Sequence, residues 1–284
     1  MPNLRQRNAS LILAGICFGT TGTAQALGPK GVSPLAVGSG RLIVGALLLY
    51  LFHRSAKKSV EKIAGRDLWL SAIGVVLYQI TFFSAVKSTG LAIGTVTALG
   101  SAPALTGVIA YIINREKPTR RWFFATVITT IGIVLLSTSK GLSDFNIRGF
   151  LLAIGAGASY SVFAVASKRA LSGGVSITDA MFRIFALGAI LSTPLLFVGN
   201  MHWLVTSKGL MMILWLGFIP TAVAYIAYAY GLAKVRASTA STLILAEPAT
   251  ATLLAAIVLG EAINVRGWTG IAIVIIGLIY LSLG

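Results

Sequence analysis

Acid is scarce in this chain, and His and Cys are scarcer still. Seven of 284 residues are Asp or Glu, against 23 Lys and Arg, two His and a single Cys. A soluble domain carries about 25% charged residues, whereas here the share is 11%, with 56% apolar. A soluble fold still needs a polar surface, so this deficit leaves an integral membrane protein. The lone Cys17 excludes an intrachain disulfide and reads as a small packing residue. His53 and His202 fall at opposite membrane faces and cannot build one metal or acid–base site. No GxxxxGK[ST] run is present to cradle nucleotide phosphates. An enzyme therefore has no catalytic pairing to work with, and neither a metal nor a cofactor is expected.

What the chain has is apolar length. Runs of about 20 apolar residues, enough to cross a ~30 Å hydrocarbon layer as helix, are read at 8–27, 34–53, 67–87, 91–113, 120–139, 146–170, 176–199, 207–230, 236–259 and 266–283. Lipid leaves only helices or closed barrels as spanning structures, and unbroken runs of this length are helices. The fold class is all-α, with ten transmembrane helices. The formal charge of +16 is topogenic and does not point to nucleic acid. With residue 1 inside, fifteen Lys/Arg fall on the inner side and six on the outer, the remaining two being Arg41 and Arg183 within spans. This asymmetry follows the positive-inside rule and predicts both termini in the cytoplasm. Arg5 and Arg7, an apolar run and Ala24-Gln25-Ala26 imitate a signal peptide, but cleavage there would remove part of a repeat.

A shift of 145 residues aligns Thr97 with Thr242, Pro103 with Pro248, Glu116 with Glu261, Arg121 with Arg266 and Gly132 with Gly277. A shift of 142 aligns Gly15 with Gly157 and Arg41 with Arg183. The chain thus reads as two five-helix repeats, 1–139 and 140–284. Five is odd, so the second copy enters the membrane from the opposite side. Inverted repeats with a midplane site at their interface are a secondary-transporter architecture.

Within that frame, Pro103 and Pro248 sit mid-span and release the carbonyls of Leu99 and Ile244. Those carbonyls either face a hydrated cavity or belong to kinks that shape packing. Pro220 is a third kink candidate. Glu247 is the one acid near the centre of a span, and its repeat counterpart is Ala102. Intramembrane acids usually face a cavity or a proton path; the alternative is a structural acid bonded to Thr242 or Ser238. Glu116 and Glu261 read as structural, each before the helix that follows it. Arg183 has Asp179 four residues earlier on its own helix face. Arg41 has no such neighbour, and both arginines read as interfacial anchors. Trp69, Trp122 and Trp268 open spans, as interfacial belt residues do. A deep aromatic set comprises Tyr78, Phe82, Tyr160, Phe163, Tyr225 and Tyr228, whose phenols need partners or water.

These features resemble the drug/metabolite transporter superfamily of the EamA type. The resemblance rests on the ten spans, the five-plus-five repeat, the arginines of "GRLIVGALLL" and "FRIFALGAIL", and the Pro-then-Glu skeleton of "APALTGVIAYIINRE" and "EPATATLLAAIVLGE". It implies a carrier in a bacterial cytoplasmic membrane, acting as a monomer on a small-molecule substrate by alternating access. Many bacterial members export amino acids, and the cavity they suggest here is lined by Tyr78, Phe82, Thr97, Ser101, Tyr160, Tyr225, Tyr228, Thr242 and Glu247. The alternatives are an organophosphate or nucleotide-sugar antiporter, which would want fixed cations in the cavity, and a channel.

Overall fold

The computed structural model describes residues 4–55, 61–138 and 146–283. Lys57, Lys58 and Lys140 of the charge tally, the 139/140 junction and Gly284 lie outside the described residues. Ten helices among those described are long and apolar enough to span a bilayer. They are α1 (Leu4–Leu27), α2 (Pro34–Ser55), α3 (Gly65–Gly90), α4 (Ile93–Asn114), α5 (Arg120–Ser137), α6 (Ile147–Ser172), α7 (Ile177–Leu196), α8 (Ser207–Leu232), α9 (Ala237–Leu259) and α10 (Val265–Ser282).

Local sequence explains where these helices begin and turn. Thr119, Asn146, Ser176, Thr206 and Asn264 each accept a hydrogen bond from a backbone N–H three residues on, capping α5, α6, α7, α8 and α10. Between α3 and α4 the chain reverses at Gly90, whose φ of 78° and ψ of 163° suit glycine. Around the bundle, large apolar side chains such as Leu47, Ile112, Ile190, Met211 and Ile257 are exposed. In water that surface would aggregate; in lipid it is the solvated face.

The packing repeats as the sequence does. A Cβ placed on Gly132 of α5 would lie 2.9 Å from the Gly270 carbonyl oxygen and 2.8 Å from the Val274 nitrogen. One placed on Gly277 of α10 would meet Ala125 and Thr129, which are Gly270 and Val274 shifted by 145. The α5–α10 seam thus maps onto itself under the repeat. Likewise, Gly15 of α1 abuts the Ile244 carbonyl of α9, while Gly157 of α6 abuts the Ala98 carbonyl of α4. Gly19 lies against the Glu247 carbonyl, and in the other half Ser161 donates to the Ala102 carbonyl at 3.1 Å. Small residues at these crossings let backbones touch without lipid between them.

The mid-span prolines behave differently from one another. Through Pro103 the helix α4 is continuous. In α8, Pro220 lies within a π-helical turn, Phe218–Val223, and the Leu216 carbonyl it would leave unpaired accepts the Thr221 hydroxyl at 2.7 Å. In α9 the helix divides into Ala237–Leu243 and Ala246–Leu259. The Ile244 carbonyl accepts the Glu247 N–H at 2.8 Å and packs on Gly15. It is therefore not a free acceptor in a wet cavity, and the packing alternative holds at that carbonyl. Pro248 falls in the first turn of the second half-helix, where a missing N–H is tolerated.

Polar ties gather at one face of the bundle, the one to which the Asn8–Ser282 hydrogen bond (3.1 Å) belongs. There Arg169 pairs with Asp67 at 3.0 Å, and Arg183 with Asp179 at 2.7 Å. Lys168 donates to the carbonyls of Leu232 and Val235 at 2.8 Å each, and Arg7 covers the Tyr230 ring. Glu116 caps a helix N-terminus, but the helix is α9: its carboxylate accepts the Ala237 N–H at 2.9 Å. The reading of Glu116 as a partner of α5 is corrected accordingly, because the loop folds across α9 instead of back onto its own successor. Trp69 and Trp268 are half exposed as belt residues should be, but Trp122 is buried and donates to the Ser238 carbonyl at 2.9 Å. An indole N–H finds that carbonyl where Gly107 leaves room for the ring.

Candidate functional site

The division of α9 places Glu247 in the first turn of Ala246–Leu259, halfway across the membrane. A helix N-terminus carries partial positive charge, which offsets part of the roughly 3 kcal/mol that an acid at a helix centre costs. The pairing of Glu247 with Pro248 thus has a local physical basis: the proline tolerates a helix start, and the helix start tolerates the acid. Among the described residues the Glu247 carboxylate makes no hydrogen bond or ion pair, so Thr242 and Ser238 are not its partners. It is only half buried.

Around it stand the aromatics. Tyr78 stacks on Phe82 at 5.5 Å and meets Tyr160 edge-on at 6.3 Å. The Tyr160 and Tyr228 hydroxyls approach to 3.5 Å. Tyr225 packs on Phe185 at 4.3 Å, on Phe18 at 4.9 Å and on Phe163 at 5.6 Å. Rings from α1, α3, α6, α7 and α8 thereby form one linked aromatic cluster, and the part-exposed Tyr78, Phe82 and Tyr160, with Glu247 of α9, mark its accessible side, the candidate chamber.

Of the residues expected to line a cavity, Tyr78, Phe82, Tyr160 and Glu247 are half buried, and Tyr225 is 9% exposed. Tyr228 is wholly buried at the chamber's floor, in contact with Tyr160. Thr242 stands apart, fully buried with its hydroxyl 2.9 Å from that of Thr126 on α5. Its place is the α5–α9 contact, because the half-helix carrying it ends one turn before the chamber. Ser101 donates to the Ala98 carbonyl at 3.2 Å and packs at the α4–α6 crossing beside Gly157. Thr97 lies one turn from Ser101 on the same helix, half buried.

Phe18 and Phe185 join the cluster without having been singled out in the sequence. Arg41 on α2 makes no ion pair among the described residues. Its Nε is buried without a hydrogen-bond partner. The repeat carried a signal for this: Arg183 has Asp179 on its own helix, whereas the residue in that place before Arg41 is Val37. Arg183 is neutralised locally and Arg41 is not.

Burial along α9 differs between its two halves. In α9, Ala237–Ala246 is buried except at Thr239, while no residue from Ala251 to Leu259 is. The segment Ala237–Leu243 packs on the α3–α4 pair, and Ala246–Leu259 packs on α1, α5 and α10. A separate groove of about 480 Å³, lined by Phe52, Thr178, Val223, Ile226, Ala227 and Tyr230, lies outside the chamber.

Known proteins share this plan. The transporter YwfM of Bacillus subtilis (strain 168) is 39% identical over 275 residues, covering 96% of this chain and 92% of its own. The threonine/homoserine exporter RhtA of Escherichia coli (strain K12) is 25% identical over 242 residues, covering 84% of this chain and 76% of its own. A crystal structure superposes with a TM-score of 0.83 over 98% of this chain and 96% of that one; at 19% identity the likeness is one of fold. The EamA-like transporter family matches twice, over residues 8–138 and again over 147–283. A ten-span bundle matched on both halves to one family of transporters is a transporter and not an enzyme: the chain belongs to the EamA-like transporter family.

Proposed function

We propose that this transporter exports amino acids, neutral and aromatic ones foremost, from a bacterial cytoplasm by alternating access. Its halves, 1–139 and 140–284, rock about the midplane site, with both termini in the cytoplasm. The observation that carries the reading is the chamber itself. A lone carboxylate offers a site for an ammonium group, and Tyr78, Phe82, Tyr160 and Tyr225 offer apolar and π-faced walls for a side chain. With the termini inside, the ion pairs of Asp67 and Asp179 lie toward the inner face. The distant exporter relative supports an amino acid substrate. An organophosphate would place its negative charge against Glu247, an unfavourable balance.

Purified protein in liposomes, offered labelled amino acids and phosphorylated solutes with and without a pH gradient, tests this directly. Saturable transport of neutral or aromatic amino acids is expected. Transport confined to phosphorylated solutes would overturn the reading.

A further inference from the structure

Helices α2 and α8 touch at mid-membrane and open into a groove beyond it. Gly45 of α2 lies against Thr221, and Gly217 of α8 against Val44, so closely that neither leaves room for a Cβ. Two turns further along the same face of α2 stands Phe52. It lines the groove of about 480 Å³ together with Thr178 of α7 and Val223, Ile226, Ala227 and Tyr230 of α8. The four α8 residues follow an i, i+3, i+4, i+7 stripe, which rises about 10 Å. The stripe starts where the π-helical turn ends and reaches the last turn of α8. Half of the hydrocarbon layer is about 15 Å, so the groove follows most of one leaflet. With both termini in the cytoplasm, that leaflet is the inner one. Phe52 at its edge is 36% exposed, so the groove opens to lipid.

An apolar slot alone would take any acyl chain; its inner end supplies selection. The Arg7 guanidinium lies over the Tyr230 ring, 3.8 Å from its centroid, and donates to the Tyr230 carbonyl. Arg54, two residues past Phe52, is exposed. Neither arginine makes an ion pair among the described residues. The acid beside Thr178, Asp179, is 1% exposed and neutralised by Arg183 at 2.7 Å, with His53 at 3.6 Å. The groove therefore ends in positive charge at headgroup level.

We propose that this groove holds an acyl chain of an anionic phospholipid of the cytoplasmic leaflet, its phosphate held at the inner end by Arg7 and Arg54. Basic pockets between spans on the cytoplasmic side bind such headgroups. A guanidinium suits a phosphate because its planar fork can take two oxygens, and the Tyr230 contact keeps Arg7 at the groove's end. The site is separate from the chamber and does not depend on which substrate is carried.

The test titrates the purified protein in detergent with phosphatidylglycerol and phosphatidylcholine of identical acyl chains, bound lipid being counted by native mass spectrometry. One phosphatidylglycerol should bind more tightly than phosphatidylcholine, by about fivefold for each arginine that reaches the phosphate, or about thirtyfold for two. Arg7→Gln combined with Arg54→Gln should bring the two lipids to parity, and the corresponding lysine pair should keep most of the preference. Ala227→Phe fills the groove and spares both arginines; it should lose the tight lipid while thermal unfolding shows the protein still folded. Equal binding of the two lipids by wild type overturns the proposal, and this result needs no variant to fold. Tight phosphatidylglycerol retained by Ala227→Phe overturns it too, as does a protein dimer found in place of the bound lipid.

Discussion

Replacing Glu247 by glutamine removes one charge and keeps the shape. The carboxylate has no hydrogen bond or ion pair among the described residues, so the substitution breaks no protein contact. It also removes an acid whose midplane placement costs up to about 3 kcal/mol. The folded protein should therefore be as stable as wild type or more so. Binding should move the other way: a charge-assisted hydrogen bond to an ammonium group contributes about 1.5–3 kcal/mol, or about 10- to 100-fold in affinity. Glu247→Gln should thus raise the KM for amino acid transport by that factor while the Tm in detergent holds or rises. Glu247→Ala should lose affinity at least as far. Transport kinetics and thermal unfolding of the same preparations measure both quantities. A structural acid would give the reverse pattern, with a lowered Tm and an unchanged KM, and that result would sink the assignment.

Other consequences are equally direct. Gly132→Leu and Gly277→Leu should each destabilise the protein by at least the roughly 1–3 kcal/mol typical of overpacking, since a Cβ at either position already falls under 3 Å from the facing helix; unchanged thermal unfolding would mean α5 and α10 do not pack this closely. Removing the cap on α9 by Glu116→Ala should cost about 0.5–2 kcal/mol, read as a lower Tm, and an unaltered Tm would place the carboxylate elsewhere. In a Cys17→Ala background, a cysteine at Tyr78 should react with a small polar reagent added from outside and be slowed by substrate, whereas one at the buried Tyr228 should react more slowly. Faster labelling at 228 would reverse the assigned depth. A reporter that is active only in the cytoplasm, fused after residue 284, should give signal; silence would reverse the topology.

The sequence alone determined the lipid environment, the ten spans and the internal repeat, because each is written in one dimension. Hydropathy reports length, and Pro103/Pro248 or Gly132/Gly277 report register, without any knowledge of which helices touch. The Asp179–Arg183 pair was legible for the same reason, being local to one helix. The deep aromatics could be sorted by depth, but depth does not say which face of a helix looks inward. Only tertiary structure decided that Thr242, at the same depth class as Tyr78, turns to Thr126 on α5 and leaves the chamber to Glu247. It decided that Pro220 forms a π-helical turn and Pro248 a helix start, although both look alike as prolines in apolar runs, because the difference lies in which neighbour takes the displaced carbonyl. It also joined Phe18 of α1 to Tyr225 of α8, 207 positions apart in sequence, and no spacing along one strand of chain encodes a distance across a bundle.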